Sequence, residues 1–291
     1  MKIGIAVFSG TGNTAYVAEL LGKEFRGLGA TVDIRQIDST SFHIIDADTT
    51  DFDPYCYDLV GIGHPILGFG SPPLVLRLAE ALPNGQGRMF IFKSAGDNHR
   101  INNTASEKLI RALEDKGYEV ILDFLYVMPC NWVINYQRCF NLQIIDKTKE
   151  KVVLHARELI TGTRSLMPVY RGWRQVARIL HYLETNYGRK QFSKPLRVTN
   201  DCTLCGHFIR NCPAKNIREE NQVVRFGENC LWCMRCVYNC PANAIDAQWM
   251  KWCIIKVGYR LNDYVEASDI CRTFITRKSR GYWKHFQEYF L

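Results

Sequence analysis

Hydrophobic and polar positions in the first 163 residues follow two alternating patterns. Five runs of apolar and β-branched residues are typical of strands in a buried parallel sheet. They occupy residues 2–8, 31–37, 57–63, 88–93 and 119–127. Between the runs apolar residues recur at helical spacing, in the first helix at Tyr16, Val17, Leu20, Leu21 and Phe25. This alternation predicts a doubly wound α/β domain whose five strands are joined by helical crossovers.

Local signals predict where the helices begin and end. Gly29 stands where the first helix should stop, and Ser71-Pro72-Pro73 should open the second. Thr104 and Glu107 have the spacing of a capping box at the start of the third. The fourth helix is expected over residues 146–159, with Gly162 just beyond it. We therefore place the end of this domain at residue 163.

The first strand leads directly into a short polar loop and then into the first helix. Glycines let the backbone approach a ligand closely, hydroxyls bond phosphate oxygens, and a helix N-terminus offers unpaired N–H groups. An ordinary turn is the alternative. The chain lacks both the Gly-Lys-Ser/Thr of a P-loop and the G-x-G-x-x-G of a dinucleotide site. We predict a phosphate site at Ser9, Thr11, Gly12, Asn13 and Thr14.

Seven of the twelve cysteines lie within forty residues, from Cys202 to Pro241. The second half of this stretch has the complete C-x2-C-x2-C-x3-C-P spacing of bacterial two-cluster ferredoxins. Its cysteines are Cys230, Cys233, Cys236 and Cys240. The first half repeats the spacing with Cys202, Cys205 and Cys212, but Phe208 replaces its third cysteine.

This spacing predicts iron-sulfur ligands, because three closely spaced cysteines hold one cluster and the cysteine before proline ligates the other. One complete [4Fe-4S] site follows, with the ligands Cys212, Cys230, Cys233 and Cys236. The other site keeps only Cys202, Cys205 and Cys240. Zinc is the common alternative for a Cys-x2-Cys repeat, but a zinc site closes with four ligands and does not use seven thiolates.

Three states of the three-cysteine site stay open, since Phe208 cannot ligate iron. The site is empty, holds [3Fe-4S], or holds [4Fe-4S] whose odd iron takes water, a substrate or another side chain. The side chains considered are His207, Cys253 and Cys271. We expect the site to be occupied, because an empty site would bury its thiolates together without compensation.

The loop from Ser9 to Thr14 looks like the phosphate loop of flavodoxins, which bind flavin mononucleotide (FMN). Joined to the Cys202–Pro241 stretch, the chain resembles the flavodoxin-ferredoxin fusions of the EFR1 family of ferrodoxins over nearly its whole length. The resemblance implies an α/β flavodoxin-like doubly wound parallel sheet of order 2-1-3-4-5. A small α+β bacterial ferredoxin-like domain should follow it. FMN and [4Fe-4S] clusters are the cofactors implied.

The resemblance also implies which loops contact the flavin. Residues 63–69 would flank the ring and residues 93–97 would follow its pyrimidine edge, beyond the carboxyl ends of two strands. Phe69 would either stack on the ring or pack in the core. The candidates are Pro65, Ile66, Leu67, Gly68, Phe69, Ser94, Ala95, Gly96 and Asp97.

Two further features carry weaker expectations. Residues 128–131 resemble a Met-Pro-x-Asn element of the same fusions, and a contact between them and flavin is a hypothesis. His64 and His207 are single histidines, which are more often structural than chemical.

Length and composition suit two domains in the cytoplasm. The 291 residues, 47% of them hydrophobic, divide into residues 1–163, a linker at 164–197, an iron-sulfur domain at 198–248 and a tail at 249–291. No apolar run is long enough to span a membrane, and the N-terminus begins as a strand rather than a signal peptide. The remaining cysteines are expected to be free thiols, as a reducing compartment permits. They are Cys56, Cys130, Cys139, Cys253 and Cys271.

Charge is unevenly placed along the chain. Residues 1–163 contain 16 Lys and Arg against 19 Asp and Glu, while residues 164–291 contain 21 against 10. Because no nucleic-acid motif accompanies the basic half, we interpret its charge as shielding anionic clusters and attracting an acidic redox partner. A merely solvated basic face is the alternative.

The linker and the tail have no chemical motif. The linker is basic with apolar residues at helical spacing, so we expect an amphipathic helix packed between the domains rather than on a membrane surface. The tail carries Trp249, Trp252 and Trp283 and is expected to fold back on the clusters.

These features predict an electron carrier. Flavin exchanges electrons singly or in pairs and a cluster passes one at a time, so a chain holding both converts between the two. A flavin-dependent reductase of a small molecule and a redox sensor are the alternatives. No pattern marks a substrate acid, base or nucleophile, which favours the carrier.

Overall fold

A five-stranded parallel sheet organises the first half of the protein. The structure is a computed structural model that describes residues 1–37, 52–256, 258–267, 271 and 273–291. Within the sheet the strands lie in the order β2-β1-β3-β4-β5, which is the flavodoxin-like order predicted. The strands are β1 Lys2–Val7, β2 Thr31–Gln36, β3 Leu59–Pro65, β4 Arg88–Ala95 and β5 Glu119–Val127.

Helices cover both faces of this sheet because successive strand residues point to opposite sides. Ile5 and Val7 pack in a core with the first and fourth helices, while Ala6 and Phe8 pack with the second and third. The helices are α1 Asn13–Gly27, α2 Pro73–Ala81, α3 Glu107–Asp115 and α4 Arg138–Thr161. Each helix was predicted, although α4 begins eight residues before the expected residue 146.

The predicted capping box at Thr104 is wrong. A short 3-10 segment, Arg100–Ser106, precedes α3, and the Thr104 hydroxyl donates to the Ile101 carbonyl at 2.8 Å. Ser106 occupies the capping position but donates instead to the buried Asp123 carboxylate at 2.9 Å. That carboxylate also pairs with Lys93 Nζ at 2.7 Å. Burial lowers the pKa of Lys93, and the charge of Asp123 opposes this shift.

The second half is built from short elements. The predicted linker helix is α5 Arg171–Leu183, which continues through a π-helical turn, Glu184–Gly188, into α6 Arg189–Ser193. The cysteine-rich segment has two small antiparallel pairs, β6 with β9 and β7 with β8. Its elements are β6 Arg197–Val198, α7 His207–Asn211, β7 Ile217–Glu220, β8 Val223–Phe226, α8 Arg235–Tyr238 and β9 Ile245–Asp246.

The linker packs against both halves. Arg174 Nε lies 2.6 Å from the Glu107 carboxylate of the first domain. At the other end, Phe192 and Leu196 share a hydrophobic core with Met234 and Val237 of the cysteine-rich segment. No helix in the described parts of the chain is both long and apolar enough to cross a membrane.

The tail lies only in part where it was expected. Met250 and Cys253 pack with the cysteine-rich segment, but Trp249 and Trp252 are exposed. Trp283 packs on Phe140 of α4 instead of on the predicted cluster ligands. Two short helices, α9 Asn262–Val265 and α10 Gln287–Phe290, also lie on the first domain. The second part of the tail thus packs on buried aromatic residues of the first domain, Tyr136 and Phe140.

Cys139 and Cys271 form a disulfide, so the expectation that both are free thiols is wrong. Their Cα atoms are 5.3 Å apart, although 132 residues separate them in sequence. The bond ties the tail to α4. Disulfides are rare in reducing compartments, so the cysteine-based argument for the cytoplasm loses these two residues.

We expect peptide mapping of unreduced protein to recover a peptide pair joined through Cys139 and Cys271. Closing a loop of this length stabilises the fold by about 5 kcal/mol in the chain-entropy description. Cys139→Ser should therefore lower the unfolding midpoint without reductant and change it little in reductant.

Cys56→Ser is the matched control, because Cys56 is exposed and outside the disulfide. It should leave the midpoint unchanged in both conditions. Recovery of Cys139 and Cys271 as separately alkylated peptides from protein never exposed to reductant would contradict the bond.

Candidate functional site

A large cavity lies at the carboxyl end of the parallel sheet. Its volume is about 750 Å³, within the range of small-molecule sites. The loops after β1, β3 and β4 meet there, as expected at the edge where the strand order reverses. All the predicted flavin-loop residues except Gly12 line it: Ser9, Thr11, Asn13, Thr14, Pro65, Ile66, Leu67, Gly68, Phe69, Ser94, Ala95, Gly96 and Asp97.

The loop after β1 is shaped to receive an anion. Gly12 precedes α1 with φ at 99°, a conformation that favours glycine, and α1 has no side-chain cap. The first N–H groups of this 15-residue helix therefore face the loop. The Ser9 hydroxyl is buried and has no hydrogen-bond partner among the described residues. A buried hydroxyl beside unpaired N–H groups suits a phosphate oxygen.

Hydrogen bonds to neighbouring loops hold this loop in place. Thr14 Oγ1 lies 2.8 Å from Ser94 Oγ, and Asn131 Nδ2 donates to Thr11 Oγ1 at 2.6 Å. Asn13 Nδ2 donates to the Pro129 carbonyl at 3.0 Å. Three of the predicted phosphate residues therefore also join the loops to one another.

The loop after β3 presents an apolar surface to the cavity. Leu67 and Gly70 exchange two backbone hydrogen bonds of 3.1 Å, which closes a tight turn around Gly68 and Phe69. Phe69 has φ at 61° and is 36% exposed. Its ring lines the cavity rather than the core, as a residue that stacks on a ligand would.

The segment after β5 adds another wall. Pro129, Cys130 and Asn131 line the cavity, whereas Met128 is fully buried in the sheet core. The Met-Pro-x-Asn element therefore reaches the cavity with three of its four residues. Burial raises the pKa of Cys130, and its thiol donates to the Trp132 carbonyl at 2.8 Å.

Asp97 is held by the tail and by its own loop. Its carboxylate accepts from Tyr282 Oη and lies near His285 Nε2, each at 2.9 Å, and it accepts from the His99 backbone N–H at 2.6 Å. Tyr282 itself lines the cavity. The tail thus closes one side of the cavity through this carboxylate.

His64 is structural, as expected of a single histidine. It is fully buried, with Nδ1 3.0 Å from the Pro65 carbonyl and Nε2 3.2 Å from Ser71 Oγ. Burial lowers its pKa to about 4, so the ring is neutral at ordinary pH.

Sequence reasoning missed the walls supplied by distant segments. The linker, the tail and the cysteine-rich segment carry no motif for such a role, and no local pattern identifies it. The missed residues of these segments are Leu180, Leu183, Glu184, Gly188, Trp232, Cys233 and Tyr282, and those of the first domain itself are Asn102, Trp132, Val133, Ile134 and Tyr136.

The four cysteines of the predicted complete cluster site line one small cavity of about 30 Å³. Cys212, Cys230, Cys233 and Cys236 share this lining with apolar residues that include Phe208. Burial raises the pKa of Cys230 to about 12 and raises those of Cys233 and Cys236, with neighbouring cysteines adding to the shift. Such thiols must lose protons when they ligate a metal.

Backbone N–H groups point at these sulfurs. The N–H of Trp232 donates to Cys230 Sγ at 3.5 Å, and that of Asn216 donates to Cys212 Sγ at 3.3 Å. The N–H of Arg235 bonds Cys233. Hydrogen bonds of this kind stabilise thiolates and tune cluster potentials.

The two halves of the cysteine-rich segment repeat with an offset of 28 residues, as from Cys202 to Cys230. Positive φ values recur at equivalent positions, at Leu204 and Trp232, at Gly206 and Met234, and at Lys215 and Asn243. Cys240 accepts from the Ala244 N–H at 3.2 Å, which matches the bond between Asn216 and Cys212. The half that lacks a cysteine therefore keeps the same backbone.

The three-cysteine site is less enclosed. Cys240 is buried, Cys202 is half-buried and Cys205 is exposed. Hydrogen bonds from the His207 backbone and the Thr203 hydroxyl lower the pKa of Cys205. Phe208 is 4% exposed and stacks on Phe226, with ring centroids 6.4 Å apart.

The three side chains considered as fourth ligands of the three-cysteine site lie in different places. Cys271 is in the disulfide. The Cys253 thiol donates to the Met250 carbonyl in a separate hydrophobic core. His207 lies beside the predicted complete site. Among the described residues, no group of three or more His, Cys, Asp or Glu side chains is arranged to hold a metal ion. Cluster binding therefore remains a prediction from spacing, donor type and backbone repetition.

The two candidate sites touch each other. Arg235 Nη2 donates to the Ser9 carbonyl at 2.5 Å, and the Cys233 carbonyl occupies the space that a side chain on Gly10 would need. Trp232 and Cys233 line the large cavity, and Cys233 also lines the small one. One cysteine residue therefore separates the two cavities.

Comparisons with known proteins give structural neighbours only. No protein-family model matches the chain, and no curated protein matches it. A flavodoxin from Streptococcus pneumoniae TIGR4 is 17% identical, with a TM-score of 0.39, over 55% of this chain and 99% of its own. Oxidised flavodoxin 1 from Bacillus cereus is 17% identical, with a TM-score of 0.38, over 55% and 98%. A flavoprotein in complex with FMN from Lactobacillus acidophilus NCFM is 21% identical, with a TM-score of 0.33, over 43% and 92%. The flavodoxin-like fold of the first domain is assigned from its strand order, not from these scores.

Proposed function

We propose that this protein transfers electrons between an iron-sulfur cluster and FMN, as a flavodoxin-ferredoxin fusion of the EFR1 type would. The observation that carries the proposal is that Cys233 lines both the large cavity and the small one. A cluster ligand that also forms the wall of a flavin site would bring the two cofactors close together. Close approach is the main structural requirement for electron transfer.

FMN suits the large cavity for two reasons. The loop around Ser9 and Gly12 presents a buried hydroxyl and helical N–H groups to a single phosphate, and no dinucleotide fingerprint accompanies it. Beyond that loop the walls are largely apolar and aromatic, as at Phe69, Trp132 and Trp232, which suits a flat ring. FMN would supply the one- and two-electron chemistry.

A [4Fe-4S] cluster suits Cys212, Cys230, Cys233 and Cys236. The spacing, the interlocking of the two halves and the N–H donors to sulfur support this assignment. The repeated backbone around Cys202, Cys205 and Cys240 supports a second metal-binding site. We propose that this second site is also occupied, by [3Fe-4S] or by [4Fe-4S].

We further propose an acidic redox partner. The basic charge was expected around the clusters, but residues 198–248 contain five Lys and Arg and five Asp and Glu. Most of the excess lies in the linker, where residues 164–197 contain eight Lys and Arg and one acid, and the rest lies in residues 249–291, which contain eight Lys and Arg and four acids. Exposed basic residues of the linker such as Arg171 would thus attract the partner, beside the wall that Leu180 and Leu183 contribute to the large cavity, whereas Arg174 and Arg178 pair with Glu107.

The buried Ser9 hydroxyl tests the flavin site. Ser9→Ala should weaken FMN binding about 10- to 100-fold, because it removes one hydrogen bond to a charged phosphate. It should leave riboflavin, which has no phosphate, with unchanged affinity. Flavin fluorescence titration of flavin-free protein measures both affinities.

Ser71→Ala is the matched control for this prediction. Its buried hydroxyl donates to the Ala105 carbonyl at 2.9 Å outside the large cavity, so its loss should lower stability but not FMN affinity. Equal losses of FMN and riboflavin affinity in Ser9→Ala would show that Ser9 does not hold the phosphate.

Iron analysis and electron paramagnetic resonance of anaerobically prepared protein test the clusters. With both sites occupied, the wild type should contain about seven or eight irons per chain. Cys212→Ala should remove the signal of the complete cluster, and its structural equivalent Cys240→Ala should remove the other. Phe208→Cys should convert the second signal to that of a four-thiolate cluster. About four irons in the wild type, rising toward eight in Phe208→Cys, would mean that the second site is empty.

Salt dependence tests the partner. Electron exchange with an acidic carrier protein should slow as ionic strength rises, because screening weakens attraction to the basic linker. Reversing the exposed Arg171 and Lys190 to Glu should reduce both the rate and its salt dependence, whereas reversing Lys23 on α1 should not. Saturable reduction of a small molecule, unaffected by salt, would instead favour a reductase.

A further inference from the structure

Glu184 is the one acidic side chain that the linker contributes to the large cavity. It begins the π-helical turn Glu184–Gly188, which joins α5 to α6. Single π-helical turns occur frequently at functional sites. Glu184 lines the cavity together with Ser9, Phe69 and Trp232, which come from three other parts of the chain.

The carboxylate of Glu184 has no partner within the described part of the chain. Both of its oxygens are buried and neither makes a hydrogen bond. One oxygen occupies the space beside Gly68 that any side chain at residue 68 would fill. Burying a carboxyl group without hydrogen bonds is costly, so a donor or a proton in the cavity is expected to satisfy it.

The charged surroundings do not neutralise this group directly. Arg189 follows on the same helical segment, and its charge favours the ionised carboxylate of Glu184. The two side chains are nevertheless beyond ion-pair distance of each other. Arg189 Nε is itself buried without a hydrogen-bond partner among the described residues. His181, one turn earlier, has Nδ1 3.0 Å from the Gly68 carbonyl. Burial raises the pKa of Glu184 to about 7, against the opposing effect of Arg189. The other titratable groups in the cavity wall are Asp97, Cys130, Tyr136, Cys233 and Tyr282.

We propose that Glu184 gives a proton to the flavin ring as electrons arrive and takes it back as they leave. This inference rests on the proposed binding of FMN in the cavity. A reduced donor protein and the clusters supply electrons but no protons, and a flavin ring that gains an electron pair binds at least one proton. On reduction the O–H bond of Glu184 would break as an N–H bond formed on the ring, and the carboxylate would then exchange protons with solvent. On reoxidation the deprotonated carboxylate would accept the proton that the ring releases.

The position of Glu184 suits this role better than those of its neighbours. Asp97 already accepts from Tyr282 and from the His99 backbone, so its oxygens are occupied. A group whose pKa lies near the working pH exchanges protons most effectively. Both the acid and its conjugate base are then present when electrons move in either direction.

The test uses the full chain with its cofactors and the variant Glu184→Gln. Dithionite reduction of FMN in a stopped-flow instrument should be fast in the wild type below pH 7, where Glu184 carries its proton. It should slow as the pH rises through about 7. The variant should be about 100-fold slower at pH 6, with no such pH dependence. Glu184→Asp should recover part of the rate.

Glu107→Gln is the matched control, because Glu107 pairs with Arg174 and Arg178 of α5 but does not line the cavity. It should keep the wild-type pH profile. A second measurement needs no reaction: the infrared band of a protonated carboxyl group in flavin-free protein should titrate near pH 7 and disappear in Glu184→Gln.

Three outcomes separate a failure of the proposed function from a failure of the proposed role of Glu184. Protein that binds no FMN refutes the proposed function. Normal FMN binding with the same pH profile in wild type and Glu184→Gln refutes only the role of Glu184. If Glu184→Gln fails to fold, Glu184→Asp replaces it. A pH profile and an infrared band in Glu184→Asp that equal those of the wild type support the role of Glu184. Absence of the infrared band from flavin-free wild type refutes that role.

Discussion

The contact between the loop after β1 and the loop of Cys230 to Cys236 is the interaction on which the rest of the structure depends. Arg235 donates to the Ser9 carbonyl, and Gly10 has no side chain to hold Cys233 away. A hydrogen bond from a charged group contributes roughly 1.5–3 kcal/mol to stability. This contribution is a large share of the interaction where the two surfaces that meet are small. This contact sets the distance between the two loops, and the linker and the tail pack around them.

Much of the first domain could be predicted from its sequence because the determining forces are local or periodic. Strands buried on both faces need continuous apolar runs, and parallel strands place their following loops at one edge. Residues as far apart as Ser9 and Asp97 were therefore expected at one site, and the structure places both in the same cavity wall. Cys212, Cys230, Cys233 and Cys236 were expected close together because of their spacing, and all four line one small cavity.

The remaining walls could not be predicted, because they depend on how distant segments pack. Tyr282 lies at the cavity with its hydroxyl bonded to Asp97 and Tyr136, and Glu184 lies there at the start of the π-helical turn between α5 and α6. Neither placement leaves a periodic trace in the sequence. The capping box at Thr104 is absent because residues 100–106 form a 3-10 segment and α3 begins only at Glu107, with Ser106 at the cap position bonded to Asp123.

Phe208 is the one residue that distinguishes this protein from a form in which both halves of the repeat have four cysteines. Its half of the repeat keeps the left-handed backbone positions at Leu204 and Lys215, although these conformations disfavour side chains as large as theirs. The two halves therefore share these backbone features although Phe208 stands where the other half has Cys236. Codons for phenylalanine and cysteine differ by one base, so a single nucleotide change separates a three-thiolate site from a four-thiolate one. A population carrying this gene can cross between the two forms in one mutational step, with the backbone already in place.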